Sequence, residues 1–343
     1  MLKSLLSQGF RVLGFFIFKM RKEEKEMYQI IEVKVKDMNI EEAVALCKQE
    51  YMEEQQKTKI MPPMDREMEE LLAGVIHQVK GAPYGKALIE EGKLAGFLAF
   101  FGPWEGFHGV GKGVFSPLGA SAFAGEKSGK VASLLFQAVA EELVEDKVFG
   151  VAMSRYTYND EVNKTLCLNS FGIRCSDAIL SLQDHVLSDK DPAITIVELR
   201  GEEKLEIKEL YERLKKHLTK SPCFFPTQEG EAQRWFENQK IRILAARENS
   251  KVIGYMAIDD EAETFLTERT DISNICGAYV SEEYRSQGMA KQLLDAVVEK
   301  CIEEGKRYLG VDYETINPTA LHFWTKYFVP YTYSFIRRID ERI

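Results

Sequence analysis

Cysteine usage sets the first exclusion. Six cysteines are present (Cys47, Cys167, Cys175, Cys223, Cys276 and Cys301), and none is spaced C-x-x-C. The sequence therefore offers neither a zinc ligand set nor a disulfide frame, and the thiols read as reduced, as in a cytoplasm. Several lie in apolar runs, as small buried hydrophobes do. Positive charge is also short. Lys and Arg number 45 against 54 Asp and Glu, a net charge of −9, which argues against broad attraction to nucleic acid. No apolar run is long enough to cross a membrane. Leu2 to Phe18 comes nearest, but Ser7, Gln8 and Arg11 interrupt it. It lacks a small-residue cleavage site before the charges at 19–25. Residues 1–26 are therefore expected to be an extension outside the fold, from a start codon placed early. A peripheral amphipathic anchor is the alternative.

What remains is ordinary for a globular chain. Hydrophobic residues make up 45% and charged residues 29% of 343 residues, enough for two domains. The most informative stretch runs from Ile275 to Cys301. The apolar run Ile275–Val280 reads as a strand. A charged turn, Arg285-Ser286-Gln287-Gly288-Met289-Ala290, follows. An amphipathic helix then buries Leu293, Leu294, Val297, Val298 and Cys301. Strand, glycine turn and helix N-terminus form an anion site, because the first N–H groups of a helix lack partners and its dipole adds positive charge. Gly288 lets backbone approach a phosphate, and Arg285 and Lys291 add full charges. Further on comes a strand, Tyr308–Tyr313, and then Asn317-Pro318-Thr319-Ala320-Leu321-His322-Phe323-Trp324-Thr325-Lys326-Tyr327-Phe328.

The chain repeats itself. Lys93–Phe100 matches Lys251–Ile258, Ser128–Leu135 matches Gln287–Leu294, and Phe149-Gly150-Val151 matches Leu309-Gly310-Val311, at near-constant offsets of 158 to 160. Two copies of one domain are expected, at 27–182 and 194–343, with a linker at 183–193. Each reads as strand, helices, strand pair, long strand, helix, strand, helix and final strands: an α/β fold of the mixed-sheet kind. In the second copy, 241–247 and 252–259 flank a hairpin turn.

Arg-x-x-Gly-x-Ala after a strand resembles the acetyl-CoA pyrophosphate loop of the GNAT superfamily of N-acyltransferases. Asn317–Phe328 resembles that family's second motif, with Tyr327 where glycine is usual. The resemblance is strong after residue 194 and faint before it. It implies two GNAT-like domains in tandem, acetyl-CoA as co-substrate, no metal, and a small-molecule or peptide amine as acceptor, which suits an acidic chain. It assigns Ala278, Tyr279 and Val280 to the pantetheine arm, with a backbone N–H there polarising the thioester carbonyl. Arg285, Ser286, Gln287, Gly288, Met289, Ala290 and Lys291 would hold the pyrophosphate, and Asn317 the cofactor arm or the amine. Trp324 stands where a tyrosine acid is frequent, so Tyr327, Tyr313, Tyr279 or solvent would protonate the thiolate. Glu314, just past its strand, is the expected general base, with Asp312 pointing to the other face and Asp271 next in line. His322 reads as a surface or packing residue.

The first copy has Glu126 where the second has Arg285, and a carboxylate repels a pyrophosphate. It is expected to be a degenerate, structural half. Gly106-Phe107-His108-Gly109-Val110-Gly111-Lys112-Gly113 comes within one residue of G-x-x-x-x-G-K-[ST], but Gly113 removes the hydroxyl and no helix start follows, so a loop between strands is expected there. Two other functions stay open: a tRNA-dependent aminoacyl or peptidyl transferase built from two such domains, and a non-catalytic acyl-CoA sensor.

Overall fold

The computed structural model describes residues 30–109, 111–123, 125–221, 223–224, 230–261 and 264–340. The expected extension at 1–26 lies outside them. In the first half, β1 (Ile30–Lys34) leads to α1 (Ile40–Lys57) and α2 (Arg66–Val79). Asn39 caps α1 by accepting from the N–H groups of Glu41 and Glu42, and Asp65 caps α2 through the N–H of Met68. β2 (Tyr84–Glu90), β3 (Lys93–Glu105), β4 (Lys112–Ser116) and β5 (Ser121–Phe123) precede α3 (Ser128–Glu145), β6 (Gly150–Tyr156), α4 (Asp160–Leu168) and β7 (Gly172–Ser181). The near-P-loop sequence is the connection from β3 to β4. No helix follows it.

The second half runs β8 (Thr195–Leu199), a 3₁₀ segment (Gly201–Ile207), α5 (Lys208–Thr219), α6 (Glu231–Glu237), β9 (Arg242–Glu248) and β10 (Lys251–Asp259). It continues with β11 (Ile272–Val280), α7 (Met289–Glu303), β12 (Tyr308–Glu314), α8 (Pro318–Tyr327), β13 (Val329–Pro330) and β14 (Thr332–Arg338). The β9–β10 hairpin closes on Asn249 and Ser250, both at positive φ (47° and 68°), as a two-residue turn with the strands' own twist requires. The expected repeat is visible in three dimensions. Gly96 on β3 and Gly254 on β10 each lie where a Cβ would press on the helix above, against Val131 of α3 and Leu293 of α7.

The sequence does not reveal how the halves join. Among the described residues, all strands belong to one fourteen-stranded mixed sheet, whose central order is β4-β6-β14-β7-β12-β11. The last strand of each half has crossed to the other. β14 lies antiparallel on β6, from Thr332 opposite Tyr156 to Arg338 opposite Gly150. β7 lies antiparallel on β12, from Tyr308 opposite Ser181 to Glu314 opposite Cys175. Apolar clusters fill the space between sheet and helices: one under α3 that takes in Phe335 of β14, and one under α7 that takes in Ala178 and Leu180 of β7. Each core is therefore completed by side chains from the other half.

A second tie holds the halves together. Arg269, with its side chain only 3% exposed, donates to Asp65 at the start of α2 (2.7 Å) and to Asp271 (2.9 Å), and lies 3.4 Å from Glu67. Removing one partner of a buried pair leaves the other charges uncompensated and costs roughly 3 kcal/mol. Arg269→Ala should lower stability by about that amount in urea unfolding. A change under about 0.5 kcal/mol would show the cluster to be incidental. Asp271, the reserve candidate for a base, belongs to this cluster, with Arg307 also near it at 3.7 Å. It is committed to structure there.

Candidate active site

β11 and β12 run parallel and paired only from Ile272–Tyr308 to Ile275–Val311. Beyond that they separate. Against β10, the register slips between Ala257 (opposite Gly277) and Ile258 (opposite Ile275), leaving Cys276 as an extra residue. Such a bulge bends its strand and sharpens its twist. It carries Gly277–Val280 away from β12, so the backbone of that stretch is paired with β10 on one side and faces a gap on the other.

Two cavities meet at the gap. The first, of 540 Å³, lies between α7 and α8 and is lined by Ala278, Tyr279, Val280, Arg285, Ser286, Gly288, Met289, Ala290, Lys291, Asn317 and Tyr327. The second, of 420 Å³, is lined by Glu314, Asp312, Asp177, Asp259 and the α5 residues Leu214 and Leu218, among others. Leu214, Ala278, Asn317, Ala320 and Trp324 border both.

The first cavity has the chemistry of an anion cradle. Ser286 and Gly288 adopt left-handed conformations (φ 62° and 83°), which turn successive N–H groups toward one concave side. No side chain caps α7, and a Cβ on Gly288 would meet nothing within 4 Å. The helix start is thus open and bears unpartnered donors. Nε of Arg285 donates to the carbonyl of Val280 at 3.1 Å, and its guanidinium lies 5.1 Å from the centre of the Tyr279 ring. Two expectations need correction. Gln287 does not line the cavity; its amide folds back onto the carbonyl of Glu283 at 2.7 Å. Lys291 lines the cavity, but its ammonium is held by Asp295, the carbonyl of Val186 (2.8 Å) and His185 (3.3 Å). Asp295, buried one helical turn on, captures the charge that was expected to face a phosphate.

The equivalent place in the first half is closed. The carboxylate of Glu161 on α4 accepts from the N–H of Gly129 (3.3 Å) and from Ser128 (3.4 Å) at the start of α3. A Cβ on Gly129 would lie 2.5 Å from Thr165. There α4 packs directly on α3, and a carboxylate already sits where an anion would bind. Glu126 is the weaker of the two obstacles.

Glu314 is the last residue of β12 and lines the second cavity. Its Oε1 accepts from Arg174 of β7 at 2.5 Å, while Oε2 is buried with no hydrogen-bond partner. Burial pushes its carboxyl above the ordinary range, and Arg174 partly offsets this. Asp312 was expected on the opposite face. It lines the same cavity, because positions two apart on a strand share a face. Tyr327 borders the first cavity only. Tyr313 is buried beside the second, and burial raises its hydroxyl above the usual range. His322 is exposed at the rim of the first cavity. Sequence reasoning missed Arg174 and Asp177, because they reach the site on the exchanged strand β7.

A bulged strand splays from its parallel neighbour, and an uncapped helix start lies beside the gap. The comparisons name the family. Residues 207–328 match the model of the acetyltransferase (GNAT) family, so that stretch of the chain carries a GNAT domain. A GCN5-related N-acetyltransferase from Sphaerobacter thermophilus superposes with a TM-score of 0.56 at 14% identity, over 90% of this chain and 96% of that one. A fungal multi-domain GH3 β-N-acetylglucosaminidase, described as having a GCN5-related glucosamine N-acetyltransferase region, gives 0.52 at 15% identity over 90% of this chain. This chain spans 38% of the fungal protein. No curated protein matches. Among the described residues, no helix is long and apolar enough to cross a membrane.

Proposed function

We propose that the protein transfers an acetyl group from acetyl-CoA to a primary amine by direct attack on the thioester. The observation that carries this reading is the meeting of the two cavities at Ala278 and Asn317. The open start of α7 suits a pyrophosphate, and the unpaired backbone of Gly277–Val280 suits the amides of a pantetheine arm. That arrangement brings the thioester to the junction, where a backbone N–H of β11 stabilises the developing oxyanion. The acceptor enters from the other side. Glu314 Oε2 removes a proton from the ammonium, the amine nitrogen bonds to the carbonyl carbon, and the C–S bond breaks. The thiolate takes a proton from Tyr327 or from water, and the second proton shed by the nitrogen as the amide forms restores that donor.

Release of free CoA thiol, followed by mass spectrometry of the acetylated product from a panel of amines, tests the proposal. Release that depends on an amine supports it. Binding of acetyl-CoA with no amine-dependent release would instead make the protein an acyl-CoA sensor. Trp324 borders both cavities and supplies no acid. Since general acid help is worth typically 10²–10⁴-fold and a thiolate leaves without it, Trp324→Tyr should keep kcat at or above the wild-type value. A tenfold fall in kcat with unchanged KM would give the indole a part in the reaction.

A further inference from the structure

The proposed reaction makes no use of Tyr255, a residue of β10 that is 0% exposed. Its hydroxyl is buried and makes no hydrogen bond among the described residues. Buried polar atoms without a partner are uncommon in folded proteins, because such an atom gives up its bonds to water for nothing.

The placement of the ring shows what the hydroxyl faces. Across β10 and β11, Tyr255 lies opposite Tyr279, and Ala257 lies opposite Gly277. The side chain is on the α5 side of the sheet, in an apolar cluster with Leu210 and Tyr279, and meets Trp235 edge to face with ring centres 6.3 Å apart. From there it leans over β11 at Gly277. A Cβ on Gly277 would stand 3.6 Å from a ring carbon of Tyr255 and 3.8 Å from its hydroxyl oxygen. Gly277 directly follows the bulge residue Cys276, where β11 has parted from β12. It lines the second cavity, and Tyr255 lines the first. The hydroxyl is therefore beside the junction, over the backbone that suits the thioester.

The duplicated half supplies an internal comparison. In the repeated stretch, Lys93–Phe100 against Lys251–Ile258, the counterpart of Tyr255 is Phe97, which is also 0% exposed. Where the cofactor site is closed, the fold is satisfied by a plain ring. The hydroxyl is an addition in the half whose site is open, and packing does not call for it.

The chemistry of the junction does. As the amine nitrogen bonds to the carbonyl carbon, negative charge grows on the carbonyl oxygen, and it returns when the C–S bond breaks. A donor held in place and shielded from water is most effective against such charge. Burial first, and then Tyr211, raise the Tyr255 hydroxyl well above its usual range, so it keeps its proton. That suits a hydrogen-bond donor and not a proton source for the thiolate.

We infer that Tyr255 is a catalytic residue, whose hydroxyl donates a hydrogen bond to the thioester carbonyl oxygen and completes, with the backbone N–H of β11, a two-donor oxyanion hole. No bond to Tyr255 forms or breaks. The inference rests on the proposed acetyl transfer, whose failure shows differently.

Tyr255→Phe in the full chain makes the test, since it removes one oxygen and installs the residue that the first half already tolerates. With an amine that wild type acetylates, kcat should fall about 100-fold, the scale of a lost oxyanion donor, while KM for acetyl-CoA changes less than about threefold. Stability in urea should stay level or rise, because an unsatisfied buried donor has gone. The infrared band of bound acetyl-CoA, isotope-labelled at the thioester carbonyl carbon, should stand at lower frequency in wild type than in the variant. A fall in kcat under about fivefold overturns the inference and leaves acetyl transfer standing. Lower stability and lower kcat with an unmoved carbonyl band also overturn it, since the hydroxyl would then be structural. If no amine is turned over, the proposed reaction fails, and the carbonyl band alone decides: a lower frequency in wild type supports the hydrogen bond, and coincident bands overturn it.

Discussion

Gly288→Glu should abolish acetyl-CoA binding, with at least a 100-fold loss of affinity in calorimetry, about 2.7 kcal/mol. Two effects add. A glutamate at φ 83° is strained where glycine is not. Its carboxylate also enters the concave side formed by the N–H groups at the start of α7, the position that Glu161 already fills in the first half. The variant should nonetheless fold, because the position is exposed and surrounded by open space. Its melting temperature should stay within a few degrees of wild type. Gly288→Ala separates the causes. It carries the backbone cost without the charge and should lose no more than about tenfold. The matching substitution in the first half, Gly129→Ala, should leave the affinity alone and instead lower stability, since its Cβ would collide with Thr165. Wild-type stoichiometry should be one site per chain. Two sites, or binding that survives Gly288→Glu and is lost on changing Gly129, would reverse the assignment of the halves.

Glu314→Gln should lower kcat by at least tenfold near neutral pH, with part of the loss regained as pH rises. The direction follows from the proton inventory. An ammonium cannot attack a carbonyl, and at neutral pH an aliphatic amine is almost wholly protonated, so a base is needed. Burial raises the Glu314 carboxyl above an ordinary glutamate. This makes it a stronger base than an ordinary glutamate, with Arg174 partly offsetting the rise. In wild type, kcat should therefore fall as pH drops through that raised value and the carboxylate is protonated. In the glutamine variant this acid limb should vanish, and rate should climb with the fraction of free amine. An unchanged pH–rate profile would place the base elsewhere. Arg174→Met offers a further check. Loss of the guanidinium should move the acid limb to higher pH, a shift that a purely structural role would not produce.

How much of this was legible beforehand depended on whether the signal was local. The loop from Arg285 to Ala290 spells its own geometry, since glycine, helix start and flanking strand are contiguous. The Asn317 motif likewise lies in one helix, where Asn317 caps α8 through the N–H of Ala320. Repeated segments such as Gly96 and Gly254 show the duplication because each copy must clear a helix at the same place. The misreadings came from partners distant in sequence. Lys291 looks free until His185 and the linker carbonyl of Val186 are brought to it, although Asp295, one helical turn on, was within reach of a sequence reading. Closure of the first half rests on Glu161, which approaches Gly129 from another helix. Arg174 and Asp177 carry no motif, and only the strand order puts them beside Glu314. Asp312 was a different case: alternation along β12 already places it on the Glu314 face.

The exchange of β7 and β14 has a consequence for how the protein is made. The hydroxyls of Ser154 and Ser334 meet at 3.0 Å across 180 residues, and β6, paired with β4 on one side, gains its second neighbour only when β14 arrives. On a ribosome the first half cannot finish its sheet until β14 of the second half has been synthesised. Until then β6 and β7 present open edges, the kind of surface that pairs with other chains. Loop closure over such a distance makes slow, late docking of the C-terminal strand the expected final event of folding. Once it is home, neither half can open without unpairing the other, so the chain should melt as one cooperative unit despite its two-copy plan.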